Sequence, residues 1–248
     1  MTREQEKPTP EHPADARVPP DRELIITIDG PAGTGKSTVA RLLAKRLGLD
    51  FLDTGAMYRA AAAIAIDRRI DCADHEHLLS VLADADIHFD WSTDPPAVLA
   101  WFKPMNGRIR DADVTALVST LAGIGRLREH MVRKQRLIGA QHPRLVTEGR
   151  DQGSVVFPDA PVKFYLDADP RVRAQRRAEQ LRERDPDAMI EIDTLLADIQ
   201  RRDHLDSSRA DGPLRCPDDA ERIDTGPLTL QAVVALLAQR VRARLNAT

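Results

Sequence analysis

Cysteine is scarce in this chain. Its 248 residues include two, Cys72 and Cys216, far apart and at no metal-ligand or redox spacing. That excludes a disulfide framework or a paired-cysteine metal centre, and two isolated thiols fit a reducing, cytoplasmic setting. Long apolar runs are missing as well: no stretch approaches the ~20 consecutive apolar residues that a membrane-crossing helix needs. The N-terminus is charged and proline-rich, without the apolar segment of a secretory signal. Nor does one sign of charge dominate. A formal net charge of −3 gives no ground for a nucleic-acid or membrane partner. No internal repeat is present.

Apolar residues make up 42% of the sequence, enough for a sizeable core. The length suits one large α/β domain or a core with an insertion. Everything is organised around Gly30-Pro31-Ala32-Gly33-Thr34-Gly35-Lys36-Ser37, which fits G-x-x-x-x-G-K-[ST] at every position. Leu24 to Ile28 before it is a short β-branched run, the pattern of a buried parallel strand. Val39, Leu42, Leu43 and Leu47 after it recur at helical spacing, and Gly48 stands where a glycine ends a helix. Strand, glycine loop and helix together make a phosphate site: backbone N–H groups and the helix N-terminus point at the ligand. In that motif Lys36 reaches the β- and γ-phosphates and the Ser37 hydroxyl holds Mg²⁺. Lys36 is expected to be partly exposed. A GTPase switch would add D-x-x-G and N-K-x-D, and a transporter ATPase L-S-G-G-Q; none of these occurs. A nucleotide-dependent switch or motor therefore ranks well below a kinase.

Residues 1–22, with prolines at 8, 10, 13, 19 and 20, predict a disordered tail. Asp50 to Asp53 predicts a second strand, followed by Thr54 to Arg59 leading into an alanine-rich helix near Ala60 to Asp67. Asp53, Thr54 and Arg59 would then sit at the C-terminal end of a strand, where open α/β sheets bind ligands. From Asp74 the rhythm changes. A helix over His75 to Ala85, a hairpin turning at Pro95-Pro96, and helices near 111–121 and 126–141 suggest a subdomain inserted over residues 74–143. The core, expected over residues 23–73 and 144–248, resumes with strands at Arg144 to Thr147 and Val162 to Leu166. A helix with Arg171, Arg173, Arg176, Arg177, Arg182 and Arg184 follows, a candidate mobile arm near 171–190. A helix near 190–202 leads into Arg202, Asp206 and Arg209, whose spacing puts them on one helical face. A last strand near Glu221 and a closing helix over Leu230 to Leu245 complete the chain.

These residues resemble the bacterial cytidylate kinases, nucleoside monophosphate kinases with a P-loop α/β core, an inserted NMP-binding domain and a short lid. The resemblance rests on Ile28-Asp29-Gly30-Pro31, Leu52-Asp53-Thr54-Gly55-Ala56-Met57-Tyr58-Arg59 and Glu148-Gly149-Arg150-Asp151-Gln152-Gly153-Ser154. It continues through Lys163 to Ala168, the Arg202 to Arg209 run, Pro213-Leu214 and Ile223-Asp224-Thr225. Ser154 replaces the usual threonine, and Gly226-Pro227 replaces the usual residue after Asp-Thr.

The resemblance implies transfer of phosphate from ATP to CMP or dCMP with Mg²⁺, by a cytoplasmic monomer. A related kinase of UMP, shikimate or gluconate is the alternative on the same core. It implies ATP binding by Gly30, Pro31, Ala32, Gly33, Thr34, Gly35, Lys36, Ser37 and Thr38. Lys36, Arg150, Arg202 and Arg209 would carry catalysis. Arg59, Arg150, Arg202 and Arg209 would hold the acceptor phosphate or the transferring group, Asp206 the ribose, and Ser119, Arg128 and Asp151 the cytosine, with Thr54 also in the CMP site. Arginine suits such work because its planar fork binds phosphate oxygens in pairs.

Overall fold

The computed structural model describes residues 17–246. Five strands form one parallel sheet: β1 (Leu24–Asp29), β2 (Asp50–Asp53), β6 (Arg144–Gly149), β7 (Val162–Asp167) and β8 (Glu221–Asp224). Their order is β2-β6-β1-β7-β8, so β1 is central and all five C-terminal ends open on one side. The register sets Asp29 level with Gly149 and Tyr165, and Asp53 level with Glu148. Neighbouring strands thus deliver Asp29, Asp53 and Glu148 to one edge, the crevice where open parallel sheets bind ligands.

Period-2 alternation sends the strand side chains to two cores. Ile26, Ile28, Val146 and Phe164 face α1 (Lys36–Leu47) and α8 (Leu230–Asn246). Leu52 and Leu145 face the other side, where α2 (Thr54–Asp67) lies under α3 (His75–Ala85), α4 (Ala112–Leu121) and α5 (Gly125–Gln141). Ala60 to Ala65 of α2 are at most 1% exposed around the whole circumference. Small side chains let helices approach from every side, and a helix apolar all round has to be enclosed. The inserted block carries its own antiparallel sheet of β3 (His88–Asp90), β4 (Ala97–Ala100) and β5 (Lys103–Pro104). Its apolar residues nonetheless form one continuous cluster with α2, so its packing depends on the core.

Three expectations need correction. The alanine-rich helix starts at Thr54 because Asp53 caps it, its Oδ1 accepting the Ala56 N–H at 2.9 Å. Residues 17–22, expected to be disordered, are tied to the fold, and Val18 is 3% exposed in the core. The Val18 N–H donates to Leu47 O at 2.9 Å, and Arg144 donates to Val18 O at 3.1 Å and Arg22 O at 2.9 Å. The disorder expected of residues 1–16 falls outside the described residues. The arginine-rich α6 (Pro170–Arg184) packs along α7 (Ile192–Ser207), which runs past residue 202 to carry Arg202 and Asp206 on one helix. Among the described residues no helix is long and apolar enough to cross a membrane.

Candidate active site

The glycine loop leaves β1 at Gly30, whose φ of 145° and close approach to the backbone exclude a side chain; a Cβ there would stand 2.0 Å from Leu166 O. Thr34 Oγ1 donates to Pro31 O at 3.2 Å, and Lys36 Nζ donates to the same carbonyl at 2.6 Å. Lys36 is therefore buried, at 5% exposure, and not partly exposed as the sequence suggests. Burial, then the nearby Arg150 guanidinium, pulls its amine down to about 7. Arg173 braces the loop from behind: it donates to Ala32 O at 3.0 Å, Ala168 O at 2.9 Å and Asp203 Oδ2 at 2.7 Å. Arg173 is thus a structural arginine of α6. Arg176 is likewise engaged, with Thr225 O at 2.6 Å, whereas Arg177 lines the cleft.

Beside the loop, Ser37 Oγ donates to Glu148 Oε1 at 2.8 Å. Glu148 is 4% exposed at the end of β6, with Asp53 next to it. Burial, then repulsion from Glu148, raises the Asp53 carboxyl to about 7. Two crowded carboxylates and a hydroxyl make a hard-oxygen set short of positive charge. Neither Asp53 nor Glu148 stands out as a metal-site candidate from the sequence. Their signal is an acid near the C-terminal end of a strand with an apolar centre.

Across a cleft of about 550 Å³ stands a group of arginines around one acid. Asp206, 2% exposed, accepts from Arg150 Nε at 2.8 Å and from Arg209 Nη2. Burial would raise its carboxyl, but Arg150 and Arg209 outweigh that and hold it below the usual carboxylate range. Arg202 and Arg209 each bury an Nε with no hydrogen-bond partner among the described residues. Burial, then Arg202, lowers Arg59 to about 10, and Arg59 reaches Thr115 Oγ1 at 2.9 Å. Cations this close repel one another, and buried donors without acceptors cost about 1–3 kcal/mol each. A polyanion entering the cleft relieves both.

Farther along the cleft Arg128 and Asp151 form a buried ion pair. Gly212, at φ 56°, lets the segment after α7 close over it; a Cβ there would meet Arg128 Nη2 at 2.1 Å and Asp151 Oδ2 at 2.6 Å. Burial raises the Asp151 carboxyl despite Arg128. Ser119, Thr54 and Arg59 line the same cleft, as do Ala32, Gly33, Gly35, Lys36, Ser37 and Thr38. The sequence-predicted residues thus line one cleft, except Gly30, Pro31 and Thr34, which shape the loop from outside its lining.

Residues 26–243 match the cytidylate kinase family model. The chain belongs to the cytidylate kinase family. A cytidylate kinase of Rhodococcus opacus is 45% identical over 219 residues, spanning 86% of this chain and 93% of that protein. One from Azotobacter vinelandii is 41% identical over 225 residues, 90% of this chain and 97% of that protein. The match to cytidylate kinases therefore takes in both cores and the arginine-lined cleft at the C-terminal ends of the strands.

Proposed function

We propose that this chain transfers the γ-phosphoryl group of ATP to CMP or dCMP, giving ADP and CDP or dCDP. The observation that carries this reading is the Asp206-anchored arginine group facing the Lys36 loop. It suits an acceptor that itself bears a phosphate. An acceptor phosphate oxygen bonds to the γ-phosphorus while the bond to the β-bridging oxygen breaks, and ADP leaves with that electron pair. Little covalent help is needed; positioning and positive charge dominate such transfers.

Gly30 to Thr38 hold the ATP phosphates, with Lys36 leaving Pro31 O for a phosphate oxygen. Arg150, Arg202 and Arg209 steady the transferring group, while Thr54 and Arg59 orient the acceptor phosphate and Asp206 the ribose. Ser37 with Asp53 and Glu148 suits Mg²⁺, which supplies charge neutralisation at the phosphates when bound. Ser119, Arg128 and Asp151 select the base. Cytosine offers an amino donor at N4 and acceptors at N3 and O2, matching a carboxylate and a guanidinium. Uracil reverses the polarity at positions 3 and 4, so both contacts would meet a like group. Residues 74–143 and the arm over 171–190 close on the two nucleotides and exclude water. All these groups come from one chain, and a monomer is the proposed working unit. Separation of the products of ATP and CMP by anion exchange tests the reading: equal amounts of CDP and ADP are expected, and ADP without CDP would overturn it.

A further inference from the structure

Behind the Arg128–Asp151 pair lies a second set of polar side chains that makes no contribution to an apolar core. Gln152 and Gln135 are both 1% exposed. Gln152 Nε2 donates to Gln135 Oε1 at 3.0 Å, and Thr147 Oγ1 donates to Gln152 Oε1 at 2.9 Å. The backbone of the same segment is clamped from β1: Asp29 accepts the Gln152 N–H at 2.9 Å and the Gly153 N–H at 2.7 Å. Residues 152–156 then form a π-helical turn, and Arg136 on α5 donates to Val155 O at 2.7 Å and Val156 O at 3.0 Å. Such turns are rare and concentrate at functional sites.

The spacing on α5 is informative. Arg128 and Gln135 are seven residues apart, two helical turns, and so share a face. Along that face they grip consecutive residues of the loop: Arg128 holds Asp151 and Gln135 holds Gln152. Two carboxamides are an expensive way to fill buried space, because each needs partners there. A satisfied polar network instead fixes one geometry where apolar packing tolerates several. A loop that slid or rotated would break the amide pair and the Asp29 clamp together.

We propose that Gln152 and Gln135 are positioning residues for base selection, holding the Asp151 carboxylate in register with Arg128. The proposal rests on the reading that Asp151 and Arg128 contact the base. It assigns neither glutamine a contact with substrate.

The test compares kcat/KM for CMP and for UMP, with melting temperature, in Gln152→Leu, Gln135→Leu, the double variant, Thr147→Val and Asp151→Ala. Each glutamine variant should lower the CMP:UMP ratio about 3- to 10-fold, the worth of one buried hydrogen bond, through a higher KM for CMP and not a lower kcat. The double variant should resemble the worse single one, because both changes remove the same bond. Thr147→Val keeps the side-chain shape and should shift the ratio in the same direction by less. It decides the matter if a leucine variant does not fold. Glutamine variants that lose stability, or lose activity equally with both substrates, at an unchanged ratio would overturn the proposal. If Asp151→Ala collapses the ratio while the glutamine variants keep it, the positioning role alone falls. If Asp151→Ala leaves the ratio intact, the base-contact reading falls and this proposal with it.

Discussion

Replacing Asp206 by asparagine should destabilise the enzyme, and inorganic phosphate should repair the damage. Asp206 is 2% exposed and neutralises Arg150 and Arg209, whose side chains are 23% and 8% exposed. Removing one partner of a buried ion pair costs about 3–5 kcal/mol, because the remaining charge stays buried and unpaired. Asparagine keeps one acceptor oxygen and Arg150 keeps some solvent, so roughly 2–4 kcal/mol is the expected loss here. For a chain of this size each kcal/mol shifts the melting temperature by about 2–4 °C, giving a fall of roughly 4–16 °C. A phosphate dianion among Arg150, Arg202 and Arg209 replaces the lost charge. Scanning calorimetry with and without phosphate should therefore show a larger rise for Asp206→Asn than for the wild type. Kinase activity should fall even where phosphate restores the melting temperature, because phosphate then occupies the place of the transferring group. A melting temperature within about 1 °C of wild type, or a smaller phosphate effect in the variant, would refute the view of Asp206 as the anchor of this group.

Lys36 gives a pH prediction. Its amine titrates near 7 when folded and near 10.5 when unfolded, so between those values the unfolded chain binds the extra proton and stability rises with pH. ATP phosphates restore the charge, so calorimetry in buffers of different ionisation enthalpy should show proton uptake on ATP binding at pH 8 and little at pH 6; uptake that persists in Lys36→Met would contradict this. Lys36→Ala should also cut kcat by at least about 100-fold, as loss of a charge aimed at the transition state does, and near-normal turnover would sink its role. ATP hydrolysis without acceptor should be far slower than kinase turnover, and equal rates would count against a site that closes. Deleting residues 1–22 should lower the melting temperature by several degrees relative to a chain starting at residue 17, since it removes buried Val18 and three carbonyl acceptors of Arg144. Matching transitions would show that this segment contributes nothing.

What the sequence made legible was local. The loop from Gly30 to Ser37 carries its own geometry, and the helix over His75–Ala85 lies where its Asp74 cap and apolar spacing put it. Arg202 and Asp206 could be grouped because four residues on a helix fix their relation. Relations across the fold were not legible in this way. Asp151 and Arg128 both stood as candidates, but nothing in two segments 23 residues apart says that they pair. Asp206 was a ribose candidate, and its service to Arg150, 56 residues away, emerged only with the fold. Val18 looked like part of a polar tail because one valine among charges and prolines has no periodicity, yet the Leu47 carbonyl and Arg144 fix it in place. Arg173 was indistinguishable from its five neighbouring arginines until the loop it braces was seen beside it.

The central claim is a phosphoryl transfer chosen by the base of the acceptor. A coupled assay of ADP release, run at matched concentrations of CMP, dCMP, UMP and AMP, tests it directly. Each base contact is worth about 1–3 kcal/mol of discrimination, so CMP should exceed UMP by roughly tens- to thousands-fold in kcat/KM. The cytosine nucleotides CMP and dCMP should both be turned over, with AMP well below them. Turnover of UMP or AMP as efficient as that of CMP would contradict the account.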